Sequence, residues 1–387
     1  MNLYIRGNTM IYLDNAATTP VDPQVAQVIA QSLGEDFANP SSLYKIGAQT
    51  ENKISNARRQ IAGYIVAKED EVYFTSCASE SNNIAIYGLS MARKNWANKI
   101  VTTGYEHPAV RKPLENLKEM GFTVVNVNPK ADGNIDPAEI VDAVDSKTAL
   151  VTLIHVNNET GAVLDVKSLC EKIKAKNKRT VIHIDATQSF MKTPIDVTKI
   201  PCDAMAFSGH KIYAPKGIGG LYLKKGTNIK TVMAGGGQEK GLRAGTENIH
   251  YILGIAKACE LLNGNIKKNF NHYTKLKAHL LEGLAQFDNV VVNSPENAMP
   301  YTVNFSFMNY RSETLLHFLE ADEIYISSGS ACSKGAASHT LSVMGVDAKR
   351  IDSSIRVSFG IHTTTEDIDT FIAALKKASE KLQKVKK

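Results

Sequence analysis

The chain has 387 residues, of which 43% are hydrophobic and 22% charged, with a formal net charge of +6. This is the composition of a soluble protein with enough length for a buried core and two domains. No segment approaches the roughly 18 apolar residues of a membrane span, so we expect no membrane association.

The distribution of charge and the spacing of the cysteines argue against a nucleic-acid-binding protein and against a metal-binding protein. Much of the positive charge lies in residues 376–387, where no aromatic residue is interleaved, so direct binding of nucleic acid is not expected. The five cysteines are odd in number and lack metal-ligand spacing; they are Cys77, Cys170, Cys202, Cys259 and Cys332. We therefore expect a cytoplasmic protein without a metal site.

Helical and strand patterns alternate from residue 22 to about residue 224. Strands are predicted at 71–75, 100–103, 122–127, 150–156, 181–184, 204–207 and 220–223, and amphipathic stretches lie between most of them. Such alternation predicts an α/β fold, with a mostly parallel sheet covered by helices on both faces. Ligands of such sheets bind beyond the carboxyl ends of the strands.

The regular alternation of predicted helices and strands ends after residue 245. Helices are predicted at 249–262, at 270–287 and from 366 onward, and strands at 290–292, 302–307 and 355–359. We predict a large α/β domain over residues 11–246 and a smaller α+β domain over 247–387. Residues 1–10 are an extension or pack on the small domain.

Two charged residues at strand ends point to a cofactor. Asp185 ends one predicted strand, with Gln188 three residues later, and Lys211 ends the Ser-Gly-His-Lys turn after another. Pyridoxal 5′-phosphate needs a lysine for its Schiff base and a carboxylate that keeps its pyridine nitrogen protonated. The pair therefore predicts a pyridoxal-phosphate enzyme.

The phosphate of that cofactor needs hydrogen-bond donors. Residues 74–82 run from a strand into a helix, whose first N–H groups and Ser79 suit a phosphate. By itself, a serine at a helix start is more often a simple helix cap. Ser208 and His210, in the turn that carries Lys211, add two further candidate donors.

Four more residues have both a functional and a structural interpretation. His107 is either a loop histidine or an imidazole stacked on the cofactor that moves protons. Asn158 follows a strand and is either a turn former or a ligand of the cofactor or substrate. Arg356 lies in an apolar strand, where it binds a carboxylate or forms a structural ion pair. Cys332 lies in a segment of small residues, as an incidental cysteine or as a reactive thiol.

Together these motifs resemble the cysteine desulfurases of the NifS/IscS type, which are pyridoxal-phosphate enzymes of fold type I. The similarity covers nearly the whole chain, in motifs at 12–20, 39–42, 106–110, 155–159, 183–189, 207–211, 235–239, 243–246, 329–332 and 354–356. Cys77 and Ser79 depart from the family, which usually has glycine and threonine there.

The resemblance implies a role for each residue. Lys211 holds the cofactor, Asp185 pairs with its pyridine nitrogen and Gln188 with its ring oxygen. Phosphate ligands are Ser79, Ser208, His210 and the N–H of Ala78, with Thr246 reaching the partner's cofactor in a homodimer. Arg356 and Asn158 hold the substrate carboxylate, and Asn158 is also a cofactor ligand.

The implied reaction removes sulfur from L-cysteine and releases L-alanine. Lys211 and His107 move the α-proton, and the Cys332 thiolate takes the sulfur as a persulfide. The persulfide then passes to an acceptor for iron–sulfur cluster assembly or tRNA thiolation. Two alternatives remain: another fold type I enzyme, such as an aminotransferase or selenocysteine lyase, and an inactive homologue that acts as a scaffold.

Overall fold

The structure is a computed structural model that describes residues 10–328 and 337–384. The strands in these residues are β1 (Ile11–Tyr12), β2 (Val72–Thr75), β3 (Lys99–Thr103), β4 (Thr123–Val127), β5 (Thr148–Ile154), β6 (Val181–Asp185), β7 (Ala204–Ser208), β8 (Gly219–Leu223), β9 (Val290–Val292), β10 (Thr302–Phe307), β11 (Ile324–Tyr325) and β12 (Ser354–Ser358). The α-helices are α1 (Pro23–Glu35), α2 (Lys45–Tyr64), α3 (Ala78–Met91), α4 (Pro108–Glu119), α5 (Pro137–Asp142), α6 (Val166–Lys176), α7 (Ile249–Asn263), α8 (Ile266–Leu284), α9 (Ser312–Glu320), α10 (His339–Val343), α11 (Ala348–Asp352) and α12 (Thr365–Lys381).

A seven-stranded sheet is the largest element of the fold. Its order is β2-β8-β7-β6-β5-β3-β4, and within it β8 alone runs antiparallel to its neighbours. The predicted mostly parallel α/β sheet is thereby confirmed.

Both faces of this sheet are covered by helices. Side chains alternate along each strand, so that Leu150 of β5 enters one core while Val151 and Leu153 enter the other. Helices α3 and α4 supply the first core, and α2, α6 and α7 supply the second. Because both faces are buried, the central strands are mainly apolar on both sides rather than alternating between apolar and exposed polar residues.

The carboxyl ends of the three central strands lie side by side. In the ladder, Ile154 of β5 is opposite Asp185, the last residue of β6, and Asp185 is opposite Ala206 of β7. The polar residues that follow these strands are therefore neighbours in space, although they are far apart in the chain.

A second core surrounds the antiparallel sheet β12-β10-β9. Phe305 and Phe307 of β10 pack there against α8 and α12, and Leu13, next to the two-stranded β1–β11 pair, joins them. Helix α7 packs instead in the core of the large sheet and on α1, where Gly254 leaves space for Ile29. The domain limits 11–246 and 247–387 stay a prediction.

Within residues 10–328 and 337–384, no helix is long and apolar enough to cross a membrane. In the same residues, no group of three histidine, cysteine or acidic side chains is arranged to hold a metal ion.

Candidate active site

A cavity of about 200 Å³ lies beyond the carboxyl ends of the central strands. Ten of the twelve predicted site residues line it: Ala78, Ser79, His107, Asn158, Asp185, Gln188, Ser208, His210, Lys211 and Arg356. Thr246 is exposed and is not part of this lining. Cys332 lies outside the described residues.

Asp185 is held at the end of β6 by two donors. Its Oδ1 accepts a hydrogen bond from the N–H of Thr187 at 2.9 Å, and its Oδ2 accepts one from Asn82 Nδ2 at 2.8 Å. The carboxyl group is buried, and both donors stabilise its negative charge. A buried anion of fixed orientation suits the protonated pyridine nitrogen of the predicted cofactor.

Lys211 lies in a short 3-10 turn, Gly209–Lys211, that follows β7. Its Nζ donates hydrogen bonds to the carbonyl oxygens of Ala16 at 2.6 Å and Ala17 at 2.5 Å. Both alanines line the same cavity. The amine is thus held at the wall that Asp185 also lines, where a cofactor aldehyde could reach it.

His107 caps α4 by accepting a hydrogen bond at Nδ1 from the N–H of Ala109 at 3.1 Å. Burial lowers the pKa of His107, Asp185 opposes that shift and Lys211 adds to it. A neutral imidazole whose Nδ1 accepts carries its proton on Nε2. The Nε2–H of this ring is therefore a hydrogen-bond donor on a side chain that lines the cavity.

The residue before His107 fixes the loop that carries it. Glu106 Oε1 accepts hydrogen bonds from Thr103 Oγ1 at 2.7 Å and from the N–H of Ile154 at 2.9 Å. Burial raises the pKa of Glu106 to about 8. This carboxyl group ties the ends of β3 and β5 together below the cavity.

The remaining polar lining fits a phosphate group. Helix α3 begins beside the cavity, and its N-cap residue Cys77 makes no side-chain capping bond, so the first N–H groups of α3 are available to an anion. Ser208 Oγ is buried and lacks a hydrogen-bond partner among the described residues. His210 bonds Thr18 Oγ1 at 3.2 Å through Nδ1, and burial together with nearby lysines lowers its pKa to about 3.

A glycine lets the α3 turn approach the sheet. A Cβ on Gly219 would lie 2.7 Å from the carbonyl carbon of Cys77 and 2.8 Å from the carbonyl oxygen of Phe207. Any other residue in β8 would therefore displace the turn that begins α3. The close approach brings Cys77 and Ser79 to the wall of the cavity opposite the strand ends.

Arg356 is almost fully buried in β12. Its Nη2 pairs with Asp14 Oδ1 at 2.7 Å and its Nη1 donates to the carbonyl oxygen of Asn158 at 3.0 Å. Its Nε is buried without a hydrogen-bond partner in the described part of the chain. The structure thus contains a structural ion pair, which was one of the two interpretations of Arg356 from the sequence. The Nε–H of this arginine remains as a donor without a partner among the described residues.

The described residues on either side of the segment 329–336 are tied close to this arginine. Ser327 and Arg356 exchange backbone hydrogen bonds of 3.2 and 2.8 Å. On the other side, Ser338 Oγ donates to Glu159 Oε2 at 2.5 Å, and Glu159 follows Asn158 directly. Both flanks of the segment that contains Cys332 therefore lie next to predicted substrate-binding residues.

Sequence inspection missed two residues that hold the predicted ones. Asn82 donates to Asp185, and Lys192 Nζ donates to Gln188 Oε1 at 3.3 Å. Asn82 lies one turn into α3 after Ala78, in a motif that already indicated the cofactor, so that motif held a usable signal. Nothing in the sequence around Lys192 indicates its contact.

Comparison with known proteins agrees with this geometry. Residues 11–371 match the family model described as aminotransferase class-V. The cysteine desulfurase IscS of Dictyoglomus turgidum is 37% identical over 379 residues, covering 97% of this chain and 96% of that protein. A solved NifS-like protein superposes with a TM-score of 0.91 at 33% identity, covering 96% of this chain and 100% of its own. A structure described as SspA in complex with cysteine has a TM-score of 0.79 and 32% identity, with coverage of 92% and 100%.

The chain therefore belongs to the class-V aminotransferase family, which consists of pyridoxal-phosphate enzymes of fold type I. Within that family it is similar over nearly its whole length to the cysteine desulfurases. The fold class and the cofactor predicted from the sequence are confirmed.

Proposed function

We propose that this enzyme removes sulfur from L-cysteine, producing L-alanine and a persulfide on Cys332. The observation that carries the proposal is the single cavity lined by Lys211, Asp185, His107 and Arg356 at the carboxyl ends of the central strands. These are the groups needed to hold the cofactor, to anchor an amino acid and to move its α-proton.

The cavity residues would hold the cofactor at four points. Lys211 Nζ would bind its aldehyde carbon, Asp185 would pair with its pyridine nitrogen, and Gln188 would donate to its ring oxygen. Its phosphate would take hydrogen bonds from Ser208, His210, Ser79 and the N–H of Ala78. The Ser208 hydroxyl supports this assignment, because it is buried without a partner among the described residues and would gain one when a phosphate binds.

The carboxylate of L-cysteine binds Arg356 and Asn158. Arg356 is fixed by Asp14 on one side and by the Asn158 carbonyl on the other, so little side-chain entropy is lost when substrate arrives. Asp14 compensates the buried charge of the arginine before substrate binds.

Bound pyridoxal phosphate supplies a ring that accepts the electron pair left when the Cα–H bond breaks. The Lys211 amine, which lies at the wall of the cavity, would take the α-proton. His107 donates a hydrogen bond from Nε2. Transfer of a proton onto His107 requires Nδ1 to release the N–H of Ala109, since that bond occupies its lone pair.

The Cys332 thiolate accepts the sulfur as the Cβ–S bond of the substrate breaks, and Cβ takes up a proton to give L-alanine. The described residues on the two sides of its segment support this role, because Ser327 bonds Arg356 and Ser338 bonds Glu159. The persulfide is then passed to a protein acceptor for iron–sulfur cluster assembly or tRNA thiolation, in the cytoplasm and without direct nucleic-acid binding.

A homodimer supports the site. The segment 33–46 exposes several large apolar side chains: Leu33, Phe37, Leu43, Tyr44 and Ile46. A cluster of this size on a surface is typical of an interface with another protein. Thr246 is exposed and outside the cavity of its own chain, which supports its role as a ligand of the partner's phosphate.

Alanine release by two cysteine variants tests the reaction and its nucleophile. We expect the wild type to form L-alanine from L-cysteine. The rate of alanine formation should be at least about tenfold lower in Cys332→Ala and unchanged in Cys77→Ala. Cys77 is the matched control because it also lines the cavity. An unimpaired Cys332→Ala rejects the nucleophile, and formation of a keto acid instead of alanine favours an aminotransferase. Activity with selenocysteine alone favours a lyase, and absence of any product favours the scaffold.

A further inference from the structure

Lys192 lies behind the wall of the cavity, against Gln188. It is half-buried, and its Nζ donates to Gln188 Oε1 at 3.3 Å and lies 4.9 Å from the centre of the Tyr301 ring. Tyr301 is buried, and its hydroxyl donates to the main-chain carbonyl of Gln188 at 2.9 Å. The lysine and the tyrosine thus hold the side chain and the backbone of the same glutamine.

The two ends of the Gln188 amide face partners of opposite kind. Its Nε2 donates to the carbonyl oxygen of Ala16 at 2.9 Å, and its Oε1 accepts from Lys192. If the amide turned over, its oxygen would face a carbonyl oxygen and its nitrogen would face an ammonium group. Both contacts would then be repulsive whenever Lys192 is protonated, because a carbonyl only accepts and an ammonium only donates.

The orientation matters because Gln188 lines the cavity on the side of Lys211. Lys211 Nζ and Gln188 Nε2 both donate to the carbonyl oxygen of Ala16. A group that binds next to Lys211 thus meets the N–H of Gln188 rather than its oxygen. The ring oxygen of pyridoxal phosphate is negatively charged when the neighbouring imine nitrogen of the Schiff base is protonated. A hydrogen-bond donor stabilises that charged form.

We propose that Lys192 is a positioning residue for the cofactor, which fixes the Gln188 amide so that its N–H, and not its oxygen, meets the cofactor's ring oxygen. The inference rests on the proposed role of Gln188. Lys192 is not part of the described lining of the cavity, so it would act through Gln188. Burial, followed by the charge of Lys211, lowers the pKa of Lys192 to about 7, and the Tyr301 ring compensates part of that cost when the amine is charged.

The test compares the cofactor spectra of loaded variants. In Lys192→Met the apolar stem remains and the donor is lost, so the visible band should shift toward the shorter-wavelength form with a neutral ring oxygen. We also expect loss of cofactor on dialysis to be about fivefold faster, the effect of one hydrogen bond. Lys192→Arg keeps a group that only donates and should keep the wild-type band. Lys199→Met is the control, because Lys199 lies seven residues further on and is exposed.

A double variant shows whether Lys192 acts through Gln188. In a Gln188→Leu background, Lys192→Met should cause no further change in the band or in cofactor loss. The proposal is overturned if Lys192→Met leaves the spectrum unchanged. It is also overturned if Lys192→Met has the same effect in the wild type and in the Gln188→Leu background. If Lys192→Met does not fold, Lys192→Ala takes its place, and the same results support or overturn the proposal. These readouts need bound cofactor but no turnover, so failure of the desulfurase reaction would be seen separately as a loaded wild type that makes no alanine.

Discussion

At the scale of single residues, the site depends on charged groups that other side chains and the main chain hold in place. Asp185 is oriented by Asn82 and by a main-chain N–H, and Arg356 is held by Asp14 and the carbonyl of Asn158. A buried charge is tolerated when it is paired with an opposite charge or with hydrogen-bonding groups. The charges can then act on a bound ligand without first reorganising their surroundings.

Asn82→Leu tests the support of Asp185. Without the amide, the Asp185 carboxylate loses one of its two donors and is held less firmly in the orientation that suits the pyridine nitrogen. We expect the rate of alanine formation to fall roughly tenfold, the lower end of the effect of a hydrogen bond to a charged group, while the cofactor remains bound. Asn83→Leu is the matched control, because Asn83 bonds only the Ser79 carbonyl among the described contacts. Equal activity of the two variants would contradict the role of Asn82.

At the scale of secondary-structure elements, local patterns predicted most of the framework. The seven strands of the large sheet, the helices α3 and α4 and the strand ends at Asp185 and Ser208 all follow from apolar periodicity and turn residues. The two-residue strands β1 and β11 were not predicted, because two residues carry no periodicity. Helix α8 begins at Ile266 rather than near residue 270, where the apolar pattern becomes clear.

Contacts between distant elements were harder to predict. Lysine and aspartate at strand ends carry a local signal, but their supports come from elsewhere in the chain. Asn82 and Asp185 are 103 residues apart, and Asp14 and Arg356 are 342 apart. Such pairs form only when the sheet and the second core are assembled, so a single sequence contains no local pattern for them.

At the scale of the whole molecule, the proposed homodimer makes the two sites depend on each other. Thr246 is exposed on its own chain, and the apolar segment 33–46 offers a surface for association. If Thr246 serves the partner's cofactor, each site is complete only when two chains meet.

Mixed dimers of Lys211→Ala and Thr246→Ala test this exchange. We expect Thr246→Ala alone to bind the cofactor roughly tenfold more weakly, since one hydrogen bond to a phosphate is lost. In a mixed dimer the Thr246→Ala chain keeps Lys211 and receives Thr246 from its partner, so one site is complete. Alanine formation at limiting cofactor should rise above that of either parent. No gain would mean that Thr246 acts within its own chain or not at all.

The central claim is that sulfur from L-cysteine passes to Cys332. The most direct measurement is the intact mass of the loaded enzyme after exposure to L-cysteine without reductant, followed by peptide mapping. The account predicts one additional sulfur per chain, located on the peptide that contains Cys332 and absent from Cys332→Ala. An unchanged mass, or an added sulfur located on Cys77, would contradict it.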